Sequence, residues 1–328
     1  SHPNTWPLDT AYTACVDAGW VDDDRALLER LVFTATPIPA TGEKWIESLS
    51  GPQGPLVADV PERLHRLAKR AEELPEAPAP DAAAEESDEQ SPDQAENRAR
   101  FVELSRSALR HFMRKFCERK QVAQLREFVA RNDAWLRPDT DRWSIVGWAF
   151  TFGRDYVGAA QWMHDWAQHT NAAPWALVNA SEGFYNTGRE AEGRACSEFA
   201  LNQPVSNGLH LHHLWLASDA IVARDVERTE KHLELAIEVA RGEPLDADYT
   251  FLRLLVDTLL QVEKAPAAQK ASVFKAVADP LVKARHEYAP FAEEPARQRL
   301  YQLALRRLAS AGGLIAGWIW YARARMRG

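Results

Sequence analysis

A chain of 328 residues with 46 % apolar residues can bury a sizeable core and reads as folded. Its formal net charge of -8 argues against nucleic acid as a partner, because phosphate binding needs a basic face. The charge is unevenly spread: residues 71–97 hold ten acids and no Lys or Arg, while Pro295 to the end holds seven Arg and no acid. Three scattered cysteines, Cys15, Cys117 and Cys196, form no metal spacing, which points to reduced thiols in a reducing, cytoplasmic compartment. No metal or cofactor is expected. No signal peptide is visible at the start, which begins Ser1-His2-Pro3 without Met.

Residues 1–74 read as a small helical unit. Asp9 can cap a helix through Trp20, and Asp22 to Asp24 precede the apolar-periodic Leu27, Leu28, Leu31 and Val32. Pro37 and Pro39 break the pattern, Gly51 to Pro55 is a loop, and Val60 to Leu74 is helical. Residues 75–97 carry Pro75, Pro78, Pro80 and Pro92 among Ala, Glu, Asp, Gln and Ser. Such a stretch cannot bury enough apolar surface to offset its ordering entropy, so a disordered acidic linker is expected.

A helical pattern returns at Phe101, Leu104, Leu109, Phe112, Met113 and Phe116 and opens a repeat domain over residues 98–294. Arg119, Arg154, Arg189 and Arg224 follow one another at 35 residues. Each lies where one helix ends and another begins, and Asp155, Glu190 and Asp225 stand beside three of them, placed to cap the next helix and to pair locally. A fixed period of this size marks stacked helix–turn–helix units. Trp143, Val146, Gly147, Phe150, Ala159 and Met163, then Tyr185, Ala195, Phe199 and Pro204, carry a pattern of aromatic, small and proline positions that resembles the tetratricopeptide repeat family. The resemblance implies an all-α fold, a right-handed α-solenoid whose first helices line a groove that binds a peptide or partner protein.

Asn179, Gly183 and Asn186 are spaced i, i+4, i+7 on one such first helix, with Ser144, Trp148 and Thr151 one repeat earlier. Asn suits backbone recognition because its amide both donates and accepts. Trp148, Thr151, Asn179, Gly183, Asn186 and Trp215 are therefore the candidate partner-binding residues. A solvated helix face is the alternative for the stripe, and core packing is the alternative for most of the tryptophans. His210, His212 and His213 lack the third and fourth converging ligands that zinc requires, so a structural role is expected. No phosphate loop, nucleophile elbow or HExxH motif is present, and no catalytic residue is assigned.

Tyr249 to Val262 and Ser272 to Glu287 read as further helices, the latter disturbed at Pro280, and Ala296 to Arg327 reads as a last one. Residues 295–328 form a C-terminal apolar and basic segment in which Leu308 to Ala322 carry no charge. Ala309, Gly313 and Gly317 form a small-residue row that permits close helix approach. Trp318, Trp320, Arg323 and Arg325 are candidate contacts for a surface, since Trp and Arg suit a membrane interface. Three readings stay open: a buried closing helix, a partner or oligomer helix, and membrane contact through residues 306–327. The function expected is a non-catalytic scaffold or adaptor. A membrane-associated assembly factor and an RNA-binding helical repeat are the alternatives, the latter because the period is also similar to that of the pentatricopeptide family.

Overall fold

The computed structural model describes Ile46, residues 60–73, and residues 92–327 except 206, 243, 244 and 314. The expected helices before residue 46, the loop at Gly51 to Pro55 and residues 75–91 of the expected linker lie outside the described residues. Among the described residues every regular element is helical and no strand is present. They fall into two compact units divided between Ile145 and Val146.

In the first unit, α1 (Val60–Glu72) packs against α2 (Pro92–Glu118). Pro92 opens α2, so the last six residues of the expected linker, 92–97, are helical. Its fixed φ and missing N–H suit that first helical position. Val60, Leu64, Leu67, Phe101, Leu104, Phe112 and Met113 are buried, as their helical spacing predicts. Then come α3 (Val122–Arg131) and the single-turn α4 (Asp133–Leu136). Phe112 meets Phe116 and Phe128 edge-on, both at 5.0 Å between ring centres. Trp135 lies under Arg142 at 5.0 Å and beside His65 at 4.0 Å.

Helix α5 (Thr140–Phe152) contains the division. The second unit continues with α6 (Tyr156–Trp162), which tightens into a 3-10 turn at Met163–Gln168, then α7 (Pro174–Asn186), α8 (Glu190–Ala200), α9 (Leu209–Val222) and α10 (Val226–Ala240). After these come α11 (Ala247–Lys264), α12 (Lys270–Glu287), the short α13 (Ala289–Ala292), α14 (Pro295–Ala311) and α15 (Ala316–Arg327). Each helix packs on its chain neighbour, and α7, α9 and α11 also pack on one another in sequence. Trp162 is buried, and the half-buried Trp166 meets Phe199 of α8 at 5.1 Å.

The turns are less evenly spaced than the arginines. Lys120, Arg154, Gly188 and Arg224 take left-handed backbone angles, in steps of 34, 34 and 36 residues. Just after each, an N–H reaches back to a helix carbonyl: Gln121 to Phe116, Asp155 to Phe150, Arg189 to Phe184 and Asp225 to Ala220, at 2.7–2.9 Å. This is the Schellman closure of a helix C-terminus. Only Arg154 and Arg224 of the arginine series occupy the left-handed position itself. Asp155 and Asp225 cap the following helices by accepting from Gly158 and Arg228, each at 3.0 Å. Glu190 provides no cap, and Arg154, Arg189 and Arg224 pair with Glu294, Glu192 and Glu263 rather than with the adjacent acids.

The single helix expected from Ala296 to Arg327 is two helices. Gly313 takes a φ of +87, and a Cβ on Gly312 would meet the Phe274 ring at 2.9 Å. A Cβ on Gly317 would run into the Ala309 carbonyl. The small-residue row thus lets α15 fold back tightly on α14.

Candidate functional site

The centre of the second unit is Arg297, which is fully buried near the start of α14. Its Nη1 donates to Glu182 at 2.9 Å and to Glu294, and its Nη2 lies 3.3 Å from Asp248. The guanidinium also sits 5.4 Å from the ring centres of both Trp215 and Tyr249. Trp215 stacks on Tyr185 at 4.6 Å with 10° between planes. Arg154 approaches Glu294 from the other side at 3.9 Å.

Three carboxylates thus crowd one buried arginine. Burial raises the Glu182 carboxyl to about 7, with Arg297 pulling it down less than desolvation pushes it up. Burial likewise raises Asp248 and Glu294. Burial disfavours the Arg297 charge, but the carboxylates more than offset it, so the arginine stays charged.

The rest of α14 is held by backbone groups at helix ends. The Ala296 N–H donates to Asn186 Oδ1 at 2.9 Å. Arg299 donates to the Tyr185 carbonyl at the end of α7, and Arg307 donates to the Ile221 and Val222 carbonyls at the end of α9, at 2.9 and 3.1 Å. A cation at a helix C-terminus satisfies carbonyls that have no partner in their own helix and complements the helix dipole. So the arginine-rich tail divides. Arg297, Arg299 and Arg307 pin α14 across α7, α9 and α11, while Arg306, Arg323 and Arg325 are exposed.

The candidate partner-binding residues take varied places around this arrangement. Asn186 and Trp215 touch α14. Thr151 donates to Asn179 Oδ1 at 2.6 Å, so those two bind each other. Gly183 lies against α6, where a Cβ would stand 2.9 Å from the Ala160 nitrogen. Trp148 is half-buried and stacks on the exposed Phe152 at 5.2 Å. Glu182, Asp248 and Arg297 were missed by the sequence reading. The signal available for Glu182 was its standing as the one charged residue in α7.

Beside α14 a cleft of about 420 Å³ remains open. Tyr185, Trp215, Val222, Leu252, Leu300 and Leu303 wall it. Its rim carries two ion pairs, Glu190 with Arg299 at 3.2 Å and Asp219 with Arg194 at 2.7 Å. The Tyr185 hydroxyl is buried without a hydrogen-bond partner among the described residues.

The histidines are packed rather than poised. His212 is buried, with Nε2 2.9 Å from the Pro174 carbonyl and Nδ1 3.2 Å from Ser197 Oγ. A carbonyl only accepts, so Nε2 carries the proton. Burial lowers His212 to about 4. His213 and His232 face each other at 3.0 Å between Nδ1 atoms, and burial lowers both, His213 to about 4. Burial pushes the Cys196 thiol up to about 12, which leaves it protonated and unreactive at neutral pH. Among the described residues no three His, Cys, Asp or Glu side chains converge on a metal-sized site, and no helix is long and apolar enough to cross a membrane.

On α15, Trp320 turns inward and meets the Phe274 ring at 5.3 Å and 89°. Trp318 is 45 % exposed, with Ile319 at 50 % and Ile315 at 76 %. Arg323 and Arg325 are exposed. Comparison with protein-family models, curated proteins and solved structures finds no match to this chain.

Proposed function

We propose that the protein is a non-catalytic protein-interaction module, an α-solenoid of tetratricopeptide-like helix pairs that holds a partner segment along its first helices. The observation that carries this reading is α14. It lies across α7, α9 and α11 in the manner of a helix in a groove, fixed by one backbone N–H, an arginine anchor and caps to helix ends. The face that receives it therefore has the chemistry of a peptide-binding surface. The open cleft beside α14 is the place left for a second occupant. Its stacked Tyr185–Trp215 floor and leucine walls suit one large apolar or aromatic side chain, and aromatic anchors in such pockets dominate binding energy. The rim charges, two acids and two arginines, suit a flanking polar segment.

The test places a charge in the cleft without disturbing the core. Val222 is 54 % exposed and lines the cleft, while Val205 is 48 % exposed elsewhere. A partner crosslinked to the wild type and identified by mass spectrometry is expected to be lost from Val222→Glu and retained by Val205→Glu. Retention by both variants would remove the cleft from the reading.

A further inference from the structure

The outward face of α15 is the reverse of an ordinary surface helix. At about 100° per residue, Ile315, which immediately precedes α15 and accepts from the Ile319 N–H, shares one arc about 100° wide with Trp318, Ile319 and Ala322. Arg325 and Arg323 stand on its two shoulders. All six side chains are exposed. Gly317 and Ala324, on the opposite side, are buried against the rest of the unit. The helix therefore presents its apolar stripe outward and holds its arginines at the edges. Arg306 is also exposed on the neighbouring α14, and residues 295–328 contain no acid.

We propose that α15 is an interfacial helix that lies on an anionic lipid surface, with Ile315, Trp318 and Ile319 entering the headgroup–acyl boundary and Arg323 and Arg325 reaching the phosphates. The inference stands independently of the cleft reading. An apolar stripe flanked by cations, with Trp at the boundary, is the pattern of helices that lie in the interface plane. The helix has 12 residues and is too short to span a bilayer. A flat lipid surface accepts one convex ridge. A parallel two-fold pair of α15 helices would set arginines against arginines across the contact, which charge repulsion opposes. The overall acidity of the chain does not cancel the local attraction, because charges beyond about 8 Å are largely screened at physiological salt.

The experiment is flotation of the full chain with vesicles of phosphatidylcholine alone and of phosphatidylcholine with phosphatidylglycerol, at low and raised salt. The wild type is expected to float with the anionic vesicles far more than with the neutral ones, and to be released by salt. Ile315→Ser/Ile319→Ser is expected to weaken flotation at least about a hundredfold, since each exposed isoleucine buried in the interface contributes on the order of 1.5 kcal/mol or more. Arg323→Gln/Arg325→Gln is expected to weaken it roughly thirtyfold, from about 1 kcal/mol per arginine at an anionic surface. All four side chains are exposed, so unchanged circular dichroism melts are expected for both variants. Either variant suffices on its own if the other loses its melt. No flotation at low salt, equal flotation with both vesicles, or flotation untouched by the variants would overturn the proposal. So would an oligomer seen by light scattering that Ile315→Ser/Ile319→Ser dissociates, which would assign the face to a second copy.

Discussion

At the scale of single residues, the glycines mark the closest approaches between helices. Gly183 sits in the stripe expected to bind a partner. In the structure its missing side chain is what brings α7 against α6. A Cβ would meet Ala159 Cβ at 3.0 Å and the Ala160 nitrogen at 2.9 Å, and backbone cannot rotate aside as a flexible side chain can. Gly183→Ala is therefore expected to destabilise the protein by about 1–3 kcal/mol, the range for overpacking a tight contact. This outweighs the better helix propensity of Ala, about 1 kcal/mol. A urea melt that shows a neutral or stabilised variant would refute the close packing. The Asn179–Thr151 pair teaches the same lesson. An amide that looks free to bind a ligand is already satisfied by the neighbouring helix.

At the scale of elements, α14 is bound by charge in a place where charge is expensive. Removing one member of a buried ion network costs about 3–5 kcal/mol, because the rest are left uncompensated. Burial makes Glu182 hold its proton up to about pH 7; Arg297 opposes this, and the Glu294 and Asp248 carboxylates add to it. Its folded value is raised above the unfolded one, so the stability it contributes is fully present below about 4.5 and is lost as pH rises through about 7. His212 acts in the opposite sense: lowered to about 4, it contributes stability above 6.5 that is lost as pH falls through 4. Glu182→Gln keeps an acceptor for Arg297 and removes only the first effect. The stability of the wild type relative to Glu182→Gln is expected to fall as pH is raised from about 5 to about 8, measured by chemical denaturation across that range. A difference that stays flat with pH would place the Glu182 proton elsewhere.

At the scale of the whole molecule, the C-terminal segment completes the second unit. Tyr249, Leu252, Leu255, Leu300, Leu305 and Leu308 belong to one buried cluster contributed by α11 and α14. A chain ending at Glu294 would lose α14 and α15 and uncover the Trp215 and Tyr249 rings. It is expected to bind a hydrophobic dye, scatter light as it self-associates, and melt at a lower temperature than the full chain. A truncated chain with the full-length melt and no dye binding would show that α14 is an accessory. The same segment carries the exposed stripe of α15, so one stretch of sequence both closes the core and supplies an outward surface.

The helices themselves were largely legible in the sequence. Phe101, Leu104, Phe112 and Met113 announce α2 by their spacing, and the Arg-Asp steps at Arg154 and Arg224 mark two turns, because capping and apolar periodicity act within a few residues. Arg119 and Arg189 also lie at helix junctions, beside the left-handed residues Lys120 and Gly188. The long-range pairings among α7, α11 and α14 were not legible. Arg297 meets Glu182 across 115 residues and Asp248 across 49, and no local period records such a pairing. The sequence by itself therefore determined the helical elements, their approximate boundaries and the acid-free tail. Only the tertiary structure decided that the tail folds back at Gly312 and Gly313, that two of its arginines bind helix ends and a third binds buried carboxylates while others remain outside, and that the face expected to be open already carries α14. The reason is physical: helix formation rests on short-range hydrogen bonds and patterning, whereas the choice of partner for a buried charge depends on which distant groups the packing brings within 3 to 4 Å.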